Sequence, residues 1–489
     1  MITLLLIIPI IGSLILIPIK ENKLNNNNLI KNITLIASLL NLIISIFIWI
    51  EFDSSTSQYQ FIYEFNKLDF CHFNLGIDGI SLYFVLLTTF VTPIAILSNY
   101  TNITKNLKYF LFSILILETL QILAFTSLDL LLFYIFFESV LPIIFIIIIL
   151  FGSGEDRFRS AFLLFLYTLA GSLPMLLSIL LIYSYFNSTD FQLISLYEIS
   201  LSSQKLLWLG FFVAFMVKTP LYPFTIWLPK AHSDSPLSGS VILAATILKL
   251  ATYGMLRVLI NFLPDASNYF LPLVETIAVI TLIYASFSTI IQQDTKRLVA
   301  YSSICHVSVI VLGLFSNTVF GIEGAILLGI AHGFVSPALF ICVGGIIYDR
   351  IHTRLIPYIR GLVIYLPVFA ILFFVFTLAN TGIPLSLNWV GEILSLTGIW
   401  QINPIIAIFG ATGIVFSACY SIFLYNRISY GNYSLHIPLL KDINRREYYL
   451  LISLLIPTFI LGIFPNVILN TLHASITALL YSVNLTPFS

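Results

Sequence analysis

The chain has 489 residues, of which 59% are hydrophobic and only 9% charged, and its 22 basic and 22 acidic side chains cancel. An ordinary soluble domain carries about 25% charged residues, so a mean hydropathy of +1.02 excludes that class, and the neutral balance without a basic stripe excludes a nucleic-acid binder. There is no Gly-rich phosphate loop, nucleophile elbow or metal-ligand spacing, and Cys71, Cys305, Cys342 and Cys419 are scattered singly, which speaks against redox or hydrolytic chemistry in this chain.

Apolar runs of about 20 residues, the length that crosses a hydrocarbon core of about 30 Å, recur from Met1 almost to the end. With Pro, Gly, Asn and charge clusters as breaks, fourteen spans are predicted, at 2–19, 29–50, 75–99, 107–126, 129–151, 159–186, 207–229, 240–263, 270–291, 298–315, 321–347, 362–400, 404–427 and 448–466. The expected fold is an all-α polytopic membrane protein, one transmembrane domain over residues 1–489. The first segment has neither a basic leader nor a small-residue cleavage site and reads as a retained helix. The twelfth is too long for one crossing and contains Gly382 and Pro384, so it reads as a broken helix. Residues 467–484 are expected to form a short surface helix.

Lys and Arg should crowd into every second loop of such a protein. Seventeen of the 22 fall on one side, among them Arg157, Lys230, Lys296, Arg350, Arg354 and Arg445. Lys67, Lys205 and Arg257 fall on the other, and the remaining two (22 − 17 − 3) are Lys218 and Lys249, inside spans. This asymmetry favours an even number of spans, with both termini opposite the basic loops.

Spans four to eight (107–263) and nine to thirteen (270–427) each hold five helices. The seventh span is interrupted at Lys218-Thr219-Pro220-Leu221-Tyr222-Pro223 and the twelfth at Asn380-Thr381-Gly382-Ile383-Pro384. Pro223 and Pro384 lie 161 residues apart (384 − 223), so the two breaks correspond. Because five is odd, the repeats are expected to be inverted, and paired broken helices in inverted repeats point to a transport site.

Glu118, Glu138, Lys218, Lys249 and Glu392 all lie inside apolar spans. An isolated charge at mid-helix costs about 3 kcal/mol on insertion scales, so these five oppose insertion by roughly 15 kcal/mol unless paired or hydrated. Glu138 and Lys218 make the natural pair. Burial disfavours both charges while their attraction favours them, so separating the pair switches a proton on or off. Lys249 is the candidate for a middle relay, and Glu392 follows the second break and ends the series. His306 and His332 carry imidazoles that titrate near neutrality; each reads equally as a relay or as a helix-to-helix hydrogen bonder. Glu118, with no evident partner, reads as structural or auxiliary. Cys305 and His306 are adjacent and should face different directions. Ser81, Thr88, Ser172, Ser302 and Ser303 read as interhelical glue. Lys230, His232 and Asp234 fall in the loop after span seven, where a solvated loop is the default and a part in proton uptake the alternative.

The stretches Met216-Val217-Lys218-Thr219-Pro220-Leu221-Tyr222-Pro223 and Trp227-Leu228-Pro229-Lys230-Ala231-His232 resemble the signature of the antiporter-like subunits of respiratory complex I. Leu75-Gly76-Ile77-Asp78-Gly79-Ile80-Ser81, Lys249-Leu250-Ala251-Thr252-Tyr253-Gly254, Ala300-Tyr301-Ser302-Ser303-Ile304-Cys305-His306 and Ile330-Ala331-His332-Gly333 are similar to the same family, strongly over about residues 75–400. Cys305 departs from the small residue expected before that histidine.

The resemblance implies a fourteen-helix subunit in the distal membrane arm of NADH:ubiquinone oxidoreductase, a non-redox part of a translocase. It implies Glu138 and Lys218 as a modulating pair, Lys249 as central relay, His306 and His332 as links between the halves, and Glu392 near the exit. Cofactors are expected in partner subunits only: NAD, FMN, iron-sulfur clusters and ubiquinone. The expected partners are other membrane-arm subunits, including sibling antiporter-like chains, and lipids, with no nucleic acid. The abundance of Ile, Asn, Phe and Tyr resembles an organelle-encoded product, which implies the mitochondrial inner membrane, with basic loops in the matrix and both termini on the intermembrane-space side. Two other readings share the same residues: a subunit of a multi-subunit sodium/proton antiporter, and a structural spacer whose charges only hold helices together.

Overall fold

The computed structural model describes residues 1–21, 24–65, 72–197, 199–434 and 440–484; Lys67 and Cys71 lie outside them. The helices are α1 (Ile2–Leu16), α2 (Leu24–Glu51), α3 (Gly79–Ser98), α4 (Leu107–Thr126), α5 (Leu130–Phe151), α6 (Arg157–Phe186), α7 (Phe191–Ile194), α8 (Leu201–Lys218), α9 (Trp227–Asp234) and α10 (Leu237–Ile242). They continue as α11 (Leu248–Gly254), α12 (Pro264–Ile291), α13 (Thr295–Leu314), α14 (Val319–Phe340), α15 (Tyr348–Ile351), α16 (Pro367–Asn380), α17 (Leu387–Ile402), α18 (Pro404–Ser429), α19 (Arg445–Ile463) and α20 (Asn466–Asn484). Among the described residues, two short strands, β1 (Gln60–Tyr63) and β2 (Leu75–Ile77), form an antiparallel pair, with Gln60 opposite Ile77 and Tyr63 opposite Leu75.

Among the described residues, eleven helices are long and apolar enough to cross a membrane. Adding the short α1 and the two interrupted pairs, α8 with α9 and α16 with α17, gives fourteen span positions, matching the predicted segmentation. The interruptions fall where the proline clusters put them, because proline has no N–H to donate and its ring clashes with the preceding turn. Thus α8 stops at Lys218 and α16 at Asn380. Local polar residues start the helices: Asp129 accepts from the N–H groups of Leu131 and Leu132 at 2.9 and 3.0 Å, Asp294 caps α13 and Ser386 caps α17.

Contacts divide the chain into two units. One holds Met1–Thr219, Thr246–Leu271 and Asn470–Ser489; the other holds Pro220–Ala245 and Pro272–Leu469. Outward faces of the peripheral helices are apolar, with Leu177, Ile371 and Ile405 each more than 60% exposed, as lipid contact requires. Two spans are instead buried all round, from Leu237 to Ile260 and from Gly321 to Ile347. Both carry π-helical segments, at Leu243–Ile247, Met255–Ile260 and Ile341–Ile347, a geometry frequent at functional positions. Their full burial is what lets them carry Lys249 and His332, since a charge on a lipid-facing surface has nothing to solvate it.

Candidate functional site

In the first unit, Lys218 occupies the last position of α8. Its ammonium is buried, 3.9 Å from Glu138 Oε1. That distance is too long for a hydrogen bond; the Nζ donates instead to the backbone oxygen of Phe137 at 2.5 Å and lies 3.2 Å from the centre of the Phe137 ring. Both Glu138 oxygens are buried, with the Ser172 hydroxyl as the polar side chain beside them. The head group is therefore shared between a carbonyl, an aromatic face and a carboxylate, an arrangement that small movements can rebalance. Packing sets it: Phe137 meets the Phe215 ring edge-on at 5.8 Å, and Phe215 presses on Gly254, where a side chain has no room. In this way α5, α8 and α11, which carry Glu138, Lys218 and Lys249, are drawn together. Lys249 is 1% exposed, in the α-helical stretch between two π segments.

Two groups missed by sequence reasoning extend this polar set. Asn41 of α2 donates to Glu118 Oε1 at 2.7 Å, supplying the partner that was not evident. Three residues further along α4, Gln121 Oε1 accepts from Thr246 Oγ1 at 3.0 Å. An amide inside an apolar run reads as ordinary interhelical glue, and only its spacing from Glu118 hinted otherwise.

In the second unit, His306 of α13 faces Glu392 of α17, with Nδ1 3.2 Å from Oε1 and both side chains buried. The other ring nitrogen lies 3.2 Å from Asn380 Oδ1, and the Asn380 amide donates to Ser421 Oγ at 3.0 Å. Asn380 is the last residue of α16, so the second break delivers a polar side chain to the histidine as the first delivers Lys218 to Glu138. Gly382 has φ +71°, and a Cβ there would lie 2.5 Å from Glu392 Oε2. The ring of His332 is centred 5.7 Å from that of His306. A cavity of about 10 Å³ touches His306, Glu392, Cys305, Ser417 and Tyr420, the room one water needs. Cys305 and His306 face different partners, as expected, the thiol meeting Ser286 Oγ at 3.4 Å and the imidazole Glu392 and Asn380, and both touch this cavity.

Three expectations are corrected. Arg257, counted with the cations of the sparse side although it falls in the predicted span 240–263, is 5% exposed inside the Leu237–Ile260 span and pairs with Asp78. The stretch at Lys230, His232 and Asp234 is not a solvated loop: His232 is 0% and Asp234 6% exposed, and the His232 ring stacks 4.5 Å from that of Phe340. Lys296, counted among the loop cations, is 2% exposed and donates to Ser235 O at 2.9 Å, while Arg354 donates to Ser233 O. The cause is common to the last two: the chain after the break turns inward as α9, whose C-terminal carbonyls lack intrahelical donors and draw in cations. Among the described residues no group of three or more His, Cys, Asp or Glu side chains is arranged to hold a metal ion.

Interrupted helices whose breaks bring Lys218 to Glu138 and Asn380 to His306, inside a bundle of apolar spans, define a polytopic helical membrane protein of the ion-translocating class. Residues 127–417 match the family described as NADH:quinone oxidoreductase/Mrp antiporter, transmembrane. The chain belongs to that family. It is 60% identical to NADH-ubiquinone oxidoreductase chain 4 of Mycosarcoma maydis over 99% of this chain and 100% of that one. With the chain 4 of Marchantia polymorpha it shares 44% identity, over 97% of this chain and 96% of the other. A chain of respiratory complex I from Thermus thermophilus with bound NADH matches with a TM-score of 0.89 at 25% identity, covering 99% of this chain and 100% of that one. The fold alone is shared with a chain of the archaeal membrane-bound sulfane sulfur reductase, at a TM-score of 0.86 and 19% identity over 99% of each chain.

Proposed function

We propose that the chain is the proton-translocating chain 4 subunit of the membrane arm of NADH:ubiquinone oxidoreductase in the mitochondrial inner membrane. Electron transfer, with NAD, FMN, iron-sulfur clusters and ubiquinone, belongs to partner subunits, and this chain contributes no redox group. Glu138 and Lys218 act as the modulating pair and Lys249 as the central relay. His332, His306 and Glu392 carry the proton onward, within two inverted repeats over residues 107–263 and 270–427. The neighbours are other membrane-arm subunits, sibling antiporter-like chains among them, and lipids. Basic loops face the matrix and both termini the intermembrane space.

One observation carries the reading: a buried lysine at the end of an interrupted helix, 3.9 Å from a carboxylate to which it makes no hydrogen bond. A pair built for rigidity alone gains most from short, hydrogen-bonded contact. A separated pair in a weakly screening interior responds strongly to small shifts, and a step elsewhere in the complex uses that response to load or release a proton.

The test is Lys218→Met and Glu138→Gln in the assembled complex reconstituted into vesicles. Each variant is expected to abolish this chain's proton pumping while the complex still assembles, as judged by native electrophoresis. Pumping that survives in both, with assembly intact, leaves a structural spacer. The family description itself favours a second reading, a subunit of a multi-subunit sodium/proton antiporter. Cation exchange across the vesicle membrane without NADH and quinone supports that alternative, and proton uptake that requires them excludes it.

A further inference from the structure

Asp78, Arg257 and Tyr253 form a charged group that the proposed route does not use. Arg257 lies within a turn of Ile260, where its span ends, and is 5% exposed; Asp78 is 3% exposed and caps α3 through a reciprocal bond with Ser81. Arg257 Nη2 and Asp78 Oδ1 form an ion pair. Nε of the same guanidinium donates to the Tyr253 hydroxyl at 3.1 Å, and that hydroxyl donates to the backbone oxygen of Phe125 at 3.0 Å. Lys249, Tyr253 and Arg257 follow at four-residue intervals and so lie along one side of the same helix, about 12 Å of helical rise from first to last.

We propose that this group is a proton barrier. It closes the Arg257 end of the Leu237–Ile260 helix, so that a proton held at Lys249 cannot leave along its own helix; the proposal rests on the reading of Lys249 as a relay. A hydroxyl passes a proton only by accepting one on its oxygen and releasing its own hydrogen to the next acceptor. Here the Tyr253 hydrogen is committed to a carbonyl with no proton to hand on, and its oxygen accepts from a guanidinium that does not deprotonate in proteins. Charge works in the same sense. The guanidinium bonds directly to the Tyr253 hydroxyl, so a proton arriving along the helix from Lys249 meets a fixed positive charge there, as at arginine barriers in pores. Asp78 compensates a charge that would otherwise be strongly destabilising in the interior. Phe84, Phe125 and Phe133 pack against Tyr253 with centroids at 5.8, 5.3 and 6.3 Å, an apolar lining that disfavours a water bypass around the ring.

The experiment measures passive proton conductance of vesicles holding the assembled complex, without NADH, and the stimulation of NADH oxidation by a protonophore. The double variant Asp78→Asn with Arg257→Gln removes both charges together and keeps a residue able to cap α3. It is expected to raise the conductance several-fold and to abolish the protonophore stimulation, and adding Lys249→Met is expected to remove the leak. Unchanged conductance with intact complex overturns the proposal, as does a leak that persists with Lys249→Met. If the double variant does not assemble, Arg257→Lys carries the same test, because an ammonium keeps the charge but can release its proton. A leak that grows as pH rises supports the barrier, and no leak at any pH removes it. Lys249→Met alone separates the two ideas. Pumping that survives it removes the relay, whereas lost pumping together with leak-free Arg257 variants removes the barrier only.

Discussion

Gly382 shows how a single missing side chain shapes the second polar cluster. Its backbone sits at φ +71°, and the Glu392 carboxylate occupies the space where a Cβ would project, with Oε2 2.5 Å from it. Gly382→Ala is therefore expected to strain the turn by about 1 kcal/mol and to push the carboxylate off His306. Assembly should survive, while proton yield per NADH falls toward that of Glu392→Gln; equal yields for Gly382→Ala and the unaltered chain exclude this role. At this scale the sequence was informative where a residue is expensive. A lysine or glutamate inside an apolar run costs enough to need a reason, which singled out Glu138, Lys218, Lys249 and Glu392. Asn380, Asn41 and Gln121 gave no such signal, because an amide in a span is cheap and common. Arg257 and Asp78 were not singled out because each stands near an apolar run's end, and only the fold brings them together across 179 positions (257 − 78).

Elements were legible to the extent that hydropathy and proline define them. The breaks after Lys218 and Asn380 follow from local chemistry, so they appear where proline and glycine cluster. The π segments were not legible, since apolar spacing distinguishes helix from strand but does not report an extra residue per turn. Nor was the inward turn of α9, which depends on Lys296 and Arg354 reaching its terminal carbonyls. A similar device ties α15 to α19. Arg350 meets Glu447 through two contacts, at 2.7 and 3.2 Å, and also donates to Lys441 O and Asp442 O, while Glu447 accepts from Asn444 N at 2.9 Å and so closes the capping box of α19. Glu447→Ala leaves a largely buried guanidinium unpaired and removes half the cap, a loss of about 3 kcal/mol. Heat-induced aggregation of the detergent-extracted complex should begin at a clearly lower temperature. Glu447→Gln keeps one acceptor for the Asn444 N–H and should shift the onset less; equal shifts for the two variants would show that the cap contributes nothing.

For the whole molecule, class and span number follow from composition and apolar run length, whereas the division into two units does not. Residues 220–245 leave the unit of the helix that precedes them, and Asn470–Ser489 join the unit of the N-terminus, because contacts rather than chain order decide membership. Each unit holds its own buried set: Glu138, Lys218 and Lys249 in one, His306, His332 and Glu392 in the other. Two sets permit two modes of use. If every proton visits both in turn, the sets act in series, and blocking either stops the same flow. If each set moves its own protons, they act in parallel, and blocking one leaves the other running. Lys249→Met and Glu392→Gln distinguish these, because residues that act as one unit give non-additive losses while independent sites add. The serial reading predicts that each single variant lowers proton yield per NADH by this chain's whole share and that the double variant lowers it no further. A double variant with twice the loss of either single variant would make each unit a separate pump, and the run from Lys249 to Glu392 would then not be one route.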